Sequence, residues 1–264
     1  MENVYYEYHR DTDLDMPVWE GKSANAKRHF HRAIEILYVE SGEVESTVGD
    51  GSFVAEADDI IFVHNYYIHS FKPKTEYKKL VFIVSPAFEN DVNKILKSRT
   101  LTAHLTDKDF NRREILPFFE RLYTENKKMP RLVKKGYLNI ILGMLLDHYP
   151  TSPIRSSEGI EVMVDILRYI DLHYKEPITL ESIASAFGYN KCYFSRMFNR
   201  YIGESLSNYV NIVRLREFMA RAKEKDSPPI SKLAAECGFE SMPTFYRAFT
   251  KLYGESPKTY LSKS

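Results

Sequence analysis

Two periodicities divide the chain. Between about residues 27 and 85 the apolar positions come in short β-branched and aromatic runs, at 34–39, 44–48, 53–54, 60–63 and 80–84, separated by turn residues. The run 44–48 alternates polar with apolar and ends at Gly49, Asp50 and Gly51, a hairpin signal. Short strands at this spacing predict a β-sandwich or barrel. After Pro86 the period lengthens. Residues 107–126 place Phe110, Ile115, Phe118, Phe119 and Leu122 at helical spacing, and residues 132–149 do the same with Leu138, Ile141, Leu142, Leu145 and Leu146. A stretch rich in proline, serine and threonine follows, and everything beyond it reads as helical. The pattern predicts an α+β chain of two domains: residues 1–150, a linker at 151–158, and an all-α domain at 159–264.

The helical part repeats itself. Phe194, Arg196, Phe198, Gly203 and Tyr209 recur 51 positions later as Phe245, Arg247, Phe249, Gly254 and Tyr260. Upstream the offset is 50: Ile183, Ala184 and Gly188 match Leu233, Ala234 and Gly238. One residue is therefore inserted after the glycine turn of the second copy, where it rotates no helix face. Each copy predicts a helix, a tight glycine turn and a second helix. Thr179 and Asn190 are N-cap candidates in the first copy and Ser241 in the second, with Pro243 tolerated early in its helix. The buried stripe of the first copy is Leu180, Ile183, Ala184 and Phe187, continuing at Phe194 and Phe198. The opposite face of its second helix carries Lys191, Cys192, Ser195, Arg196 and Asn199. The matching face in the second copy carries Met242, Pro243, Tyr246, Arg247 and Thr250. A helix–turn–helix with a polar second helix is the geometry that enters a DNA major groove. Between the copies one helix of roughly 20 residues would span roughly 30 Å, close to the roughly 34 Å between consecutive turns on one DNA face.

Charge at first speaks against nucleic acid, since 37 Lys+Arg against 36 Asp+Glu leave a net +1. Division by domain changes that: residues 159–264 carry +3 and residues 1–158 carry −2. Specificity would then rest on groove-facing side chains more than on bulk charge. The two cysteines, Cys192 and Cys237, make no disulfide framework. With no secretion-type apolar stretch at the start and no run long enough to cross a bilayer, a cytoplasmic chain without a membrane partner is expected.

On these motifs the C-terminal region, about residues 160–262, resembles the double helix–turn–helix domain of the AraC/XylS family of bacterial transcription regulators. Leu180-x-x-Ile-Ala, Gly188, Phe194-Ser-Arg196-x-Phe198 and the second-copy run from Ile230 to Tyr260 with Pro257 carry the match. The resemblance implies that both second helices enter adjacent major grooves of double-stranded DNA. By position, Lys191, Cys192, Ser195 and Arg196 would face bases in the first unit and Met242, Thr244, Tyr246 and Arg247 in the second. Asn199, Arg200 and Lys251 would meet phosphates. It further implies transcriptional activation with RNA polymerase as a partner, a cupin-like sensing barrel at the N-terminus, and a small-molecule effector, with a carbohydrate the first expectation. It also implies an antiparallel homodimer through the helices at 107–126 and 132–149, on a face including Leu138, Ile141, Leu142 and Leu145. Packing of that face on the chain's own barrel is the alternative.

In the N-terminal half, His29-x-His31-x-x-x-Glu35 would lie on one face if the segment is a single strand, and His69 could join from a later strand. The spacing resembles the first cupin motif, with Gly42 seven residues after Glu35; His64, Tyr66 and Asp58 depart from the second. Three readings stand. The side chains hydrogen-bond structurally; or Arg28, His29, His31, Glu35 and His69 line an effector pocket; or His29, His31, Glu35 and His69 hold a divalent metal. The effector pocket, with no cofactor, is the expectation. Trp19, Phe30, Tyr38, Phe62, Tyr66, Tyr67 and Phe71 are either sugar-stacking faces or core. The rival to an effector-responsive regulator is a cupin-type metalloenzyme acting on a small molecule, with a helical accessory domain. A pure interaction module is a third reading. No nucleophile elbow or phosphate-binding loop supports other chemistry.

Overall fold

Strand β4 (Ile34–Ser41) shows why the first half folds as it does. Its first six residues are all buried, with no polar alternation, which is the signature of a strand covered on both faces. Ile34, Ile36 and Tyr38 join one apolar cluster, while Leu37 and Val39 join another on the opposite face. The computed structural model describes residues 4–8, 10, 16–84, 88, 96, 99–154, 160–222 and 227–262, and divides into compact units at Met1–Gly159 and Ile160–Ser264.

In the first unit two five-stranded sheets face each other. One runs in the order β1 (Tyr5–Tyr6), β3 (Ala26–Phe30), β8 (His69–Pro73), β5 (Glu43–Val48), β6 (Gly51–Glu56). The other runs β11 (His104–Leu105), β7 (Ile60–Val63), β4, β9 (Lys78–Val84), β2 (Val18–Lys22). The predicted hairpin is present, with β5 and β6 paired from Glu43↔Glu56 to Val48↔Gly51. The expected closed barrel is not: the sheets form a two-layer sandwich. Among their edge strands β1 and β11 are two residues each, too short to carry a ladder around the corner between sheets. A separate ribbon pairs β10 (Arg99–Leu101) with β12 (Thr151–Pro153). Residues 151–153, expected to open the linker, are therefore a strand of the first unit. Residues 155–159 lie outside the described residues.

Helices cover the outer face of the second sheet. A helical turn at Lys108–Phe110 and a π-helical turn at Asn111–Ile115 lead into α1 (Leu116–Glu125), and α2 (Arg131–His148) follows. Leu138, Ile141, Leu142 and Leu145 are fully buried in one cluster with Ile36, Tyr38, Phe82 and Phe119. The expected dimer face is thus internal, because the sheet's outer apolar residues need that cover. The large apolar side chains that α2 exposes are Leu132, Val133 and Ile140.

The second unit holds α3 (Glu161–His173), α4 (Leu180–Ala186), α5 (Lys191–Ile202), α6 (Leu206–Ala222), α7 (Ile230–Glu236), α8 (Met242–Tyr253) and α9 (Pro257–Leu261). The inserted residue falls between Gly238 and Met242, as the offsets predict. Thr179 caps α4 in a capping box with Ser182, and Asn190 caps α5 by accepting from the Tyr193 N–H. Ser241 occupies the cap position of α8 but bonds the Thr244 hydroxyl at 3.0 Å instead. Helix α6 has 17 residues, about 26 Å at 1.5 Å per residue, and is the unit's core. From Val213 to Arg216 every residue is buried.

Candidate nucleic-acid interface and histidine cluster

Helices α5 and α8 each sink one aromatic edge, Phe194 and Phe198 in one, Phe245 and Phe249 in the other, all with no exposure. The opposite edge is therefore outward in both. Lys191, Cys192, Arg196, Asn199 and Arg200 are exposed on α5, and Ser195 is half-buried. On α8, Tyr246, Arg247 and Lys251 are exposed, and Met242 and Thr244 are half-buried.

These side chains differ in their commitments. Lys191 pairs with Glu181, and Lys251 reaches Glu204 at 3.1 Å. Both are surface pairs, easily exchanged for a phosphate. Arg196 and Arg200 have no ion pair among the described residues. Among the described residues Arg247 makes only long contacts within its own helix, to the Pro243 carbonyl at 3.4 Å and the Thr244 hydroxyl at 3.5 Å. The repeated arginines are therefore available to a base edge. Periodicity alone missed Tyr193, which is 47% exposed and stacks on Tyr189. Its match in the second copy, Thr244, was singled out, and the offset would have found it.

The second glycine turn and the connection between α3 and α4 are braced together from within. Arg214, buried on α6, donates from Nε to the Tyr174 carbonyl at 2.7 Å and from Nη2 to the Glu176 carbonyl at 2.9 Å. Gly238, at φ +89°, lies against the same carbonyl: a Cβ there would stand 2.7 Å from the Tyr174 oxygen.

In the first unit His29, His31 and His69 converge, with one ring nitrogen from each lying within 4.8 Å of the others. They do not share one strand. His29 lies on β3, directly paired with His69 on β8, while His31 lies in the connection and Glu35 on β4 of the other sheet. The cluster sits where the chain crosses between sheets. All four side chains are buried. Each histidine Nδ1 meets a backbone carbonyl: Lys27 at 2.7 Å, Ala33 at 2.9 Å and Tyr67 at 2.8 Å. Those carbonyls leave Nε2 as the nitrogen pointing away from the backbone: it faces Glu35 in His31 and His69 and Glu7 in His29. The His31 Nε2 lies 3.0 Å and the His69 Nε2 3.9 Å from a Glu35 carboxylate oxygen. Burial alone would raise the Glu35 carboxyl. The hydrogen bond from His31 and the neighbouring imidazoles outweigh it and hold the carboxyl well below its usual range. Burial, reinforced by the neighbouring rings, pushes His69 and His29 down.

Arg28 does not join: no hydrogen bond or ion pair links it to the cluster among the described residues. Sequence reasoning missed Glu7, 3.7 Å from His29 Nε2, and Lys79, buried over the rings of Phe71 and Tyr77. A lysine opening an apolar run was the signal for the latter. Five of the seven aromatics, Phe30, Tyr38, Phe62, Tyr66 and Phe71, are buried.

Two family models match: an AraC-like ligand binding domain over residues 19–125 and a helix-turn-helix domain over residues 183–263. The multiple antibiotic resistance protein MarA of Escherichia coli (strain K12) is 32% identical over 106 residues, covering 40% of this chain and 82% of MarA. The right origin-binding protein of the same organism is 31% identical over 99 residues, covering 38% of this chain and 34% of that protein. Only about a third of the latter's length is therefore matched. Among solved structures, ToxT from Vibrio cholerae aligns over 94% of this chain and 98% of its own at 12% identity, with a TM-score of 0.43. None of the described helices is long and apolar enough to cross a membrane. With both domain models matched in order and most of MarA aligned, the chain belongs to the AraC/XylS family of transcriptional regulators.

Proposed function

We propose that the chain binds specific double-stranded DNA through α5 and α8 and regulates transcription in response to a small molecule held by the first unit. The observation that carries this reading is the duplication. Two second helices, offset by 51 residues, each bury two phenylalanines and turn an uncommitted arginine outward. Arg196 and Arg247 are the base readers, each suited to bidentate contact with guanine. Lys191, Cys192, Ser195, Met242, Thr244 and Tyr246 flank them, while Asn199, Arg200 and Lys251 meet phosphates. Activation through RNA polymerase is the mode that the family resemblance supports. With five of the seven aromatics in the core, little remains to favour a carbohydrate over other small molecules. Selection of genomic fragments retained by the purified chain tests the reading. Recovery of one sequence pattern spanning two adjacent major grooves supports it; retention without pattern overturns it.

A homodimer is part of the proposal, now on the outward face of α2. Leu132, Val133 and Ile140 are exposed there. Gly136 and Gly143 lie along the same helix, and a Cβ added to either would meet nothing within 4 Å. Helical glycines without an internal packing reason suit close approach of a second helix.

A second reading is favoured by the three convergent ring nitrogens. Three imidazoles and a carboxylate suit a divalent transition metal, and the backbone bonds to Nδ1 are the kind that fix a ligating ring. On this reading His29, His31, His69 and Glu35 would hold the metal, and Arg28 would have no part. The family is one of regulators and not of enzymes, so such a metal would stiffen or sense rather than turn over substrate.

A further inference from the structure

A cavity of about 230 Å³ opens in the first unit and shares none of the residues of the histidine cluster. Its floor is Phe62 and Leu101, both buried. Its walls are the β5–β6 turn at Gly49 and Asp50, the loop after β7 with His64 and Tyr67, and the β10–β12 ribbon. The volume is below the roughly 300–1,000 Å³ of sites for drug-sized ligands, so the occupant is small. The Tyr67 ring packs beside Gly49, where a Cβ would meet it at 3.5 Å, and this holds the ring at the mouth. Asp50 is exposed on the rim, and it is the one carboxylate among the described lining residues, which include no lysine or arginine. A carboxylate beside an aromatic ring and an apolar floor is the chemistry that recognises an organic cation.

We infer that this cavity takes a small organic ammonium ion, its charge against Asp50 and Tyr67 and its apolar body on Phe62 and Leu101, and that occupancy holds β12 in place. The second part rests on the reading of the chain as an effector-responsive regulator. Strand β12 is three residues long and among the described residues pairs only with β10. Arg99 reinforces it through the Thr151 hydroxyl at 2.8 Å. A two-stranded ribbon of this size is marginal by itself, so a ligand filling the gap behind it shifts its equilibrium. The chain runs on from Pro153 to the second unit at Ile160. With β12 docked, that connection can span at most about 25 Å; released back to Tyr149, it can span about 40 Å. Effector binding thus shortens the tether of the DNA-reading unit.

Calorimetry on the full chain with 2-phenylethylamine, 2-phenylethanol and 3-phenylpropanoate tests this, with hydrogen exchange read at residues 99–101 and at Thr151 and Ser152. The amine should bind at least tenfold tighter than the acid and slow exchange in both strands. Asp50→Asn, on an exposed turn, should erase the preference for amine over alcohol, and Tyr67→Ala should abolish binding. Failure of the amine to bind, or binding indifferent to both substitutions, overturns the inference. A DNA fragment titrated in the same preparation separates the two claims. DNA binding without amine binding sinks only the cavity; amine binding without DNA binding sinks only the regulator.

Discussion

The Nε2 of His31 lies 3.0 Å from Oε2 of Glu35, four residues away in sequence but across the corner between two sheets. That contact ties acid stability to the cluster. Glu35 titrates low in the folded chain, so its contribution is full above the unfolded value of about 4.3 and is lost as pH falls. His69 also titrates low in the fold. Below about 6.5 the unfolded chain takes up a proton that the folded chain refuses, which again removes stability as pH falls. The two effects share a sign. In chelator-treated protein the denaturation midpoint of the first unit should drop between pH 7.5 and pH 5.5, and His69→Gln should flatten that drop. Equal midpoints at the two pH values would refute the assignment.

The same cluster makes a metal prediction. After chelation and dialysis, zinc or nickel added to the chain should bind at one equivalent if the convergent nitrogens form a ligand set. His31→Ala and His69→Ala should each weaken it at least tenfold. No binding at micromolar metal leaves the cluster a hydrogen-bonded corner between sheets.

Gly238 and Gly188 occupy matching turns but should respond differently to alanine. Both have positive φ, at +89° and +73°. Only at Gly238 would the added carbon strike the Tyr174 carbonyl that Arg214 also grips. Gly188→Ala should cost about 1–2 kcal/mol for the backbone alone. Gly238→Ala should cost at least about 1 kcal/mol more through the clash. Equal losses in urea unfolding would show that the carbonyl yields freely.

Much of this was legible in the chain because the signals were local. The helix pair with its glycine turn, the caps at Thr179 and Asn190 and the one-residue insertion all act over a few residues; the offsets 50 and 51 carried the helix pair and its turn into the second copy, though not the cap bonds. Strand β2 is not marked out by the pattern, and β3 and β8 enter only as the strands conditionally given to His29 and His69, since Val18–Lys22, Ala26–Phe30 and His69–Pro73 carry glycine, charges or proline and gain their order from pairing across the sheet. The histidines were found for a partly mistaken reason. They meet through a turn between sheets, not along one strand, and Glu7 and Lys79 could be placed near them only by the fold. The apolar stripe of α2 was visible, but periodicity cannot tell whether its cover is the chain's own sheet or a second chain.

The outward face of α2 gives a prediction about assembly. Ile140→Arg should turn a dimer into a monomer in sedimentation at tens of micromolar while leaving the melting temperature of the monomer unchanged, since Ile140 is 44% exposed. A wild-type chain that sediments as a monomer would remove the proposed interface.

The central claim is that two arginines at one repeated position read DNA. The most direct measurement is the affinity of the wild-type chain, Arg196→Ala and Arg247→Ala for a selected genomic fragment and for a scrambled one, at fixed salt. Each substitution should cost about 1–3 kcal/mol on the selected fragment, relax discrimination at one position of its own half, and leave the scrambled affinity nearly unchanged. Equal affinity of all three proteins for the selected fragment would contradict the account.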